Sequence, residues 1–216
     1  MTNYMGPVMA ALALLAGACH AADTQAQAKP TAAKPATAAT AADAAPAAAE
    51  LPRWVQAPTG SSLVFIFDQA GAASKGSFRK FTTELAYDEK SPAAGSLNVI
   101  VQTGTVDTQD QERNDMILSA DLFDAQKFPT AQYTAKTLAP TAAGALEAVG
   151  QLTIRGVTRD LRLPLKIVKT ATGLELSGES AIKRLDYGVG QGEWKTTEGV
   201  GDQVKIQYKV ALVRAK

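Results

Sequence analysis

The sequence predicts an all-β fold, an antiparallel sheet of about eight strands closed into an up-and-down barrel with one short helix inserted between strands. Three observations predict it. From Arg53 onward, apolar residues recur at every second position in run after run, which places them on one face of a strand. Proline and glycine fall between the runs, where hairpins need special backbone angles. Successive runs follow one another without the helical crossovers that a parallel sheet requires. An open sheet of this size, over about 160 residues, would expose two edges; closure into a barrel removes them. A two-sheet sandwich is the alternative the same pattern allows.

The elements follow in order. SSLVFIFD places Leu63, Phe65 and Phe67 on one face, and a short run around Phe78 and Phe81 precedes TTELAYD with Leu85 and Tyr87. SLNVIVQT aligns Leu97, Val99 and Val101. The helix comes next. Thr108 and Gln111 read as a capping box, in which each side chain satisfies a backbone amide at the helix start. Met116, Ile117 and Ala120 form a narrow apolar stripe, and Glu112, Arg113, Asn114 and Asp115 are expected to face water. FDAQKFP is the exit from that helix, because Pro129 can neither extend a helix nor donate to a ladder. Alternation resumes with Tyr133 and Ala135, then Leu152 and Ile154, then Leu161, Leu163 and Leu165, then Leu174 and Leu176. It closes with Val204, Ile206, Tyr208, Val210 and Leu212. Pro92 with Gly95, Pro140 with Gly144, Gly156, and Thr172 with Gly173 mark the turns.

The first fifty residues have a different character. Val8 to Ala18 is an apolar run of about eleven residues, too short to cross a bilayer of about 30 Å but suited to a signal-peptide core. Residues 1–21 are therefore read as a signal peptide and the mature protein as periplasmic. Cleavage after Ala21 is one reading. In the other, Ala16-Gly17-Ala18-Cys19 is a lipobox, with Ala16 where leucine is usual, and Cys19 carries a lipid that anchors the protein to a membrane. Residues 22–52 are rich in alanine and proline with little bulky apolar surface, the composition of an unstructured linker. A tether serves an anchored domain, which favours lipidation. Residues 53–216 form the barrel domain.

Cys19 and His20 are the only cysteine and histidine in the chain. The barrel domain therefore holds no disulfide, no zinc site built from those ligands and no Ser/His/Asp or Cys/His nucleophile. The 22 basic residues nearly balance the 21 acidic ones, and no basic cluster with interleaved aromatics points to nucleic acid. No catalytic residue, metal site or cofactor is predicted. Glu112, Asp115, Asp121 and Asp124 could be read as an acid–base pair or a Ca²⁺ site, but a solvated helix face with caps explains them better. Gly188, Gly190 and Gly192 in YGVGQGEW resemble a phosphate cradle, yet no helix follows to offer its N-terminus to an anion. A barrel-mouth loop covered by Trp194 is the favoured reading.

The runs ERNDMILSADLFDAQKFPTAQYTAK, GQLTIRGVTRDLRLPL, IKRLDYGV and VGDQVKI together resemble the YceI family of bacterial, mostly periplasmic, lipocalin-like proteins. Lys183 and Tyr187 stand where the family motif has Asn and Phe. The resemblance implies a lipocalin-like eight-stranded barrel around a long apolar tunnel that holds a polyisoprenoid chain or another long amphiphile, and homodimers as a possible state. On that reading Leu63, Phe65, Phe67, Leu85, Tyr87, Val99, Val101, Tyr133, Ile154, Leu163 and Ile206 face inward and bind the ligand. Phe123 and Phe128 pin the helix across the barrel and complete the ligand-binding set. A pyrophosphate head group would meet Arg155, Arg159 or Arg184. The expected function is carriage or sequestration of such a lipid, with no enzyme activity. A barrel enzyme acting on a hydrophobic substrate, and a ligand-free module that binds a protein partner, are the alternatives.

Overall fold

The computed structural model describes residues 51–142 and 145–216. The expected signal peptide, Cys19, nearly all of the expected linker and Gly144 lie outside the described residues. Eleven strand segments and one helix are present: β1 (Arg53–Gln56), β2 (Ser62–Gln69), β3 (Ala72–Phe78), β4 (Phe81–Ala86), β5 (Ser96–Gln102), β6 (Val106–Asp107), α1 (Gln111–Leu118), β7 (Thr130–Pro140), β8 (Leu146–Ile154), β9 (Val157–Lys169), β10 (Leu174–Lys183) and β11 (Val200–Arg214).

The eleven segments make eight staves, because three staves are each broken once. β1 and β2 lie end to end, β1 pairing with Leu212–Arg214 of β11 and β2 with its Val200–Lys209 stretch. β3 and β4 continue one another against β2 and β1, and β5 and β6 continue one another against β4 and β3. The remaining staves meander antiparallel from β7 to β11, and β11 closes on the first stave. The predicted eight-stranded antiparallel barrel with one helix is the fold. The breaks have local causes. Pro58 lacks an N–H and Gly60 takes φ +87° between β1 and β2. Between β3 and β4 the Thr105 hydroxyl oxygen accepts from Lys80 N at 3.0 Å in place of a ladder bond.

Two hairpins use paired left-handed residues, Ala70–Gly71 (φ 52° and 80°) and Arg155–Gly156 (φ 50° and 76°). That is the mirror-image turn whose twist matches the flanking strands. Alternation alone did not reveal β3 or β1. β3 reads AASKGSF, with small and polar residues up to Phe78, so that only its end stood out, and β1 is only four residues long.

The helix differs from expectation at its start and on its faces. Its N-cap is Asp110, whose Oδ1 accepts from Arg113 N at 3.0 Å. Thr108 is instead tied to Asn114, whose Oδ1 accepts from both the Thr108 hydroxyl and the Thr108 amide at 2.8 Å. Asn114 and Ile117 form the buried face, whereas Met116 is 39% exposed and Ala120 lies at the surface. A polar side chain won a buried position because it satisfies a neighbouring turn, which hydrophobic periodicity cannot register.

The barrel is packed in one half. Away from the helix, Leu85, Leu97, Ala135, Leu138, Ala148, Leu165, Leu174 and Leu212 are 0–3% exposed and form a contiguous core, with Trp54 and Tyr87 against it.

Candidate functional site

Above that packed half, on the side of α1, the barrel encloses a cavity of about 230 Å³. Strand register places its walls in rows. Leu85, Leu97 and Ala135 lie opposite one another across β4, β5 and β7 and form the floor. The next row up is Thr83, Val99, Tyr133 and Leu152, and the row above it is Phe81, Val101 and Ala131. Rows two residues apart along a strand are separated by roughly 7 Å. On the opposite wall β2 and β11 contribute Leu63 opposite Tyr208, Phe65 opposite Ile206 and Phe67 opposite Val204.

The aromatic side chains form a continuous wall towards the helix. The Phe65 and Phe67 rings stack at 5.9 Å, Phe65 meets Phe78 at 5.3 Å, and Phe78 meets Phe123 edge-on at 5.9 Å. Gly76 makes this possible: a Cβ there would lie 2.8 Å from Phe65 Cε1 and 2.9 Å from the Thr108 methyl.

Of the side chains expected to face a ligand, Leu63, Phe65, Phe67, Val99, Val101, Phe123, Tyr133, Ile154, Leu163 and Ile206 line the cavity. Three do not. Leu85 is in the floor at 1% exposure. Tyr87 lies at the packed end beyond β4, where its carbonyl accepts from Trp54 Nε1 at 3.3 Å. Phe128 packs outside the wall, under the β8–β9 turn. A Cβ on Gly156 would be 2.8 Å from its ring, and the Arg155 guanidinium carbon lies 6.0 Å from the ring centre. Alternation assigned the face correctly in the first two cases but could not say where along the barrel the space begins. Phe128 follows the helix exit, where period two no longer holds.

Sequence reasoning did not place Thr83, Arg113 or Val200 on the lining, where the structure puts them together with Met116 of the helix's apolar stripe and with Trp194, expected over the barrel mouth. Arg113, expected to face water, lies on the lining with its side chain 31% exposed, and its guanidinium is 3.9 Å from Asp110.

The polar groups of the lining are mostly committed to backbone. The Tyr133 hydroxyl donates to Ala148 O at 2.8 Å and Leu161 O at 3.1 Å, and the Tyr208 hydroxyl donates to Pro164 O. Tyr208 reaches that carbonyl over Gly178, where a Cβ would be 2.7 Å from Tyr208 Cζ. This contact lies where β9 and β10 part, their ladder ending at Ser177–Lys166. Burial raises both phenols above the ordinary tyrosine range, and for Tyr208 the neighbouring Tyr133 adds a smaller push. Both stay protonated at neutral pH.

Arg184 is 5% exposed and spends every guanidinium donor on a carbonyl. Nε donates to Gly201 O at 3.0 Å, one terminal nitrogen to Val189 O and Trp194 O at 2.9 and 2.7 Å, and the other to Thr196 O and Val200 O at 2.8 and 2.9 Å. Burial lowers its pKa, and the nearby Asp202 carboxylate opposes that. The glycine-rich loop is therefore the cradle of a cation. Gly188, Gly190 and Gly192 all have positive φ, and at Gly190 a side chain would overlap the Arg184 guanidinium. Arg184 has no donor left for a head group. Arg155 donates to Ala120 O at 2.7 Å and Arg159 to Asp186 O at 2.7 Å, so these two also pin the helix exit and the mouth loop. The helix carboxylates serve local geometry: Asp115 accepts from Gln111 Nε2 at 2.7 Å, and among the described residues no group of acidic side chains could hold a metal ion.

Comparison with known proteins agrees with this architecture. A UPF0312 protein of Yersinia enterocolitica is 32% identical over 151 residues, which cover 65% of this chain and 74% of that protein. Protein YceI of Escherichia coli O157:H7 is 37% identical over 93 residues, 43% of this chain and 48% of that protein, so the match spans about half of its length. The crystal structure of BcnA from Burkholderia cenocepacia superposes with a TM-score of 0.67 at 29% identity, covering 69% of this chain and 94% of that one. A polyisoprenoid binding domain from Saccharophagus degradans, implicated in plant cell wall breakdown, shares the fold with a TM-score of 0.60 at 16% identity, covering 77% of this chain and all of that one. The YceI-like domain family matches residues 54–212, from the first stave through the floor residue Leu212. A match over the whole barrel, with its helix and its mouth loop, makes this chain a member of the YceI-like domain family.

Proposed function

We propose that this protein binds one long apolar amphiphile, a polyisoprenoid or a fatty chain, in the hollow half of its barrel, and carries or sequesters it unchanged. One observation carries the reading: a cavity of about 230 Å³ with an apolar lining stands directly above a floor packed to 0–3% exposure. Empty apolar space costs stability, and this barrel fills its other half with side chains that are 0–3% exposed. Burying an apolar chain in the space returns roughly 25 cal/mol per Å² of apolar area, less the cost of ordering the chain. Affinity then needs few polar contacts. The Saccharophagus degradans domain, a polyisoprenoid binder of the same fold, supports the choice of ligand class.

The committed lining supports a binder over an enzyme. Tyr133 and Tyr208 are held protonated and bonded to backbone, and Arg184 is fully used, so none of these three is poised as a general base. The proposed site of action is the periplasm, with Cys19 acylated and the Ala/Pro-rich tether keeping the barrel near its lipid source. Both rest on the composition of residues 1–52.

Native mass spectrometry of the protein purified from its own periplasmic fraction, followed by organic extraction, tests the reading. A co-purifying lipid of defined mass, and quenching of Trp194 by added prenyl lipid, are expected. Repeated recovery of empty protein that prenyl lipids do not quench would refute it. The intact mass of the mature chain reports acylation of Cys19, and the native mass reports a homodimer.

A further inference from the structure

The geometry points to Thr83 as a polar anchor for the buried end of the ligand, which would then carry a neutral hydrogen-bonding oxygen, a hydroxyl or a carbonyl, rather than an ionised head group. The inference deepens the cavity reading above and rests on it. Thr83 is 1% exposed, lies on the cavity lining, and its hydroxyl has no hydrogen-bond partner among the described residues. Its place in the barrel is defined by register: it stands one row above the floor of Leu85 and Leu97, directly beside Val99. Those neighbours are apolar, and on the β1 side the ladder runs on towards Gln56, whose Oε1 is likewise buried without a partner among the described residues. Valine has nearly the same shape and would fill the position without burying a hydroxyl, so the threonine costs stability that nothing described in the chain returns.

A ligand oxygen reaching this row would supply the missing partner. Tyr133 lies two strands away in the same row, roughly 10 Å across the sheet. Its hydroxyl is committed to Ala148 O and Leu161 O on β8 and β9, out of reach of a ligand oxygen seated at Thr83, so Thr83 is the anchor by itself. The charge state follows from what the deep end lacks. A carboxylate or phosphate there would give up its hydration for a single hydroxyl, Arg184 has no donor free, and Arg113 sits up on α1. A neutral oxygen loses far less on entry. The chain end that enters first is thus the oxygenated one, and the hydrocarbon fills the upper rows towards Trp194.

The experiment titrates the whole protein with three probes of one carbon skeleton, following Trp194 fluorescence: farnesol, the hydrocarbon with hydrogen in place of the hydroxyl, and farnesyl phosphate. Wild type should prefer farnesol. Thr83→Val should weaken farnesol about five- to tenfold and leave the hydrocarbon unchanged, Thr83→Ser should keep most of the preference, and the Tm of ligand-free Thr83→Val should not fall. Equal loss of farnesol and hydrocarbon would show a packing effect and overturn the inference. So would an unchanged farnesol affinity, or strongest binding of farnesyl phosphate with loss on Arg113→Gln. Those outcomes leave the cavity reading standing, whereas failure of all three probes to bind wild type overturns both.

Discussion

Replacing Arg184 by methionine tests the claim that the mouth loop is held by a buried cation. The side chain makes five hydrogen bonds to carbonyls of residues 189, 194, 196, 200 and 201. A bond from a charged donor contributes about 1.5–3 kcal/mol taken singly, but the five share one desolvation cost and do not add. Removing the guanidinium leaves no charge behind, but each carbonyl that stays buried without a donor costs about 1–3 kcal/mol, roughly 3–5 kcal/mol for two or three of them. The lower end applies here. Trp194 and Thr196 belong to a stretch partly open to water, so their carbonyls can be rehydrated, while Val189 O stays buried. A loss of about 3 kcal/mol corresponds to a fall in Tm of about 6–12 °C for a domain of this size. Arg184→Lys should recover little, since an ammonium has three donors and no fork to span both sides of the loop. Gly190→Ala should act in the same direction, because its Cβ would displace the guanidinium and lie 2.6 Å from Trp194 O. Thermal unfolding followed by circular dichroism gives the magnitude, and amide exchange localises it: protection should drop through residues 185–201 before the packed half changes. A Tm within about 2 °C of wild type, with exchange in that loop unaltered, would show that the loop stands without the cation.

Three further outcomes are expected. Burial raises the pKa of Tyr133 and Tyr208 above the ordinary 10.0, so their contribution is complete below pH about 10 and is lost above it, where the unfolded chain ionises and the folded one resists. Denaturant titrations should give flat stability from neutral pH to about 10 and a decline beyond, shallower in Tyr133→Phe and Tyr208→Phe. Val99→Trp puts an indole into the row above the floor and should reduce farnesol binding more than tenfold while costing about 1–3 kcal/mol through overpacking; undiminished binding in a folded variant would place the ligand elsewhere. Phe123→Ala and Phe128→Ala should separate. Both lower Tm, but only the first, whose ring lines the cavity and meets Phe78, should weaken binding, because Phe128 packs outside the wall under Gly156.

The contrast between these two phenylalanines shows where sequence reasoning stops. Phe123 and Phe128 sit five residues apart in one aromatic, proline-containing exit and look alike in the sequence; only the path of the chain from α1 to β7 puts one ring inside the barrel and the other outside. Arg184 makes the same point. Three glycines at alternate positions resemble a phosphate cradle and read as a barrel-mouth loop, but whether that backbone turns amides to an anion or carbonyls to a cation depends on which side chain arrives from the end of β10. Leu85 and Val99 each face inward by the period of two in their own strands, β4 and β5. Their difference, floor against cavity wall, depends on how much volume seven other staves bring to each row.

By itself the sequence determined an antiparallel all-β domain of about eight strands, the inward face of nearly every stave and the apolar character of the interior, because alternation and turn chemistry are local and repeat at every strand. Closure into a barrel rather than a sandwich was the favoured reading, and the fold bears it out. It also determined what the barrel domain lacks, histidine and cysteine. Tertiary structure decided that one half of the interior is packed and the other hollow, that Arg113 reaches the lining, that Arg184 is consumed by its own loop, and that the Thr83 hydroxyl is left without a partner. Each of these is a sum over residues distant in sequence, and closing the sheet is what brings them together.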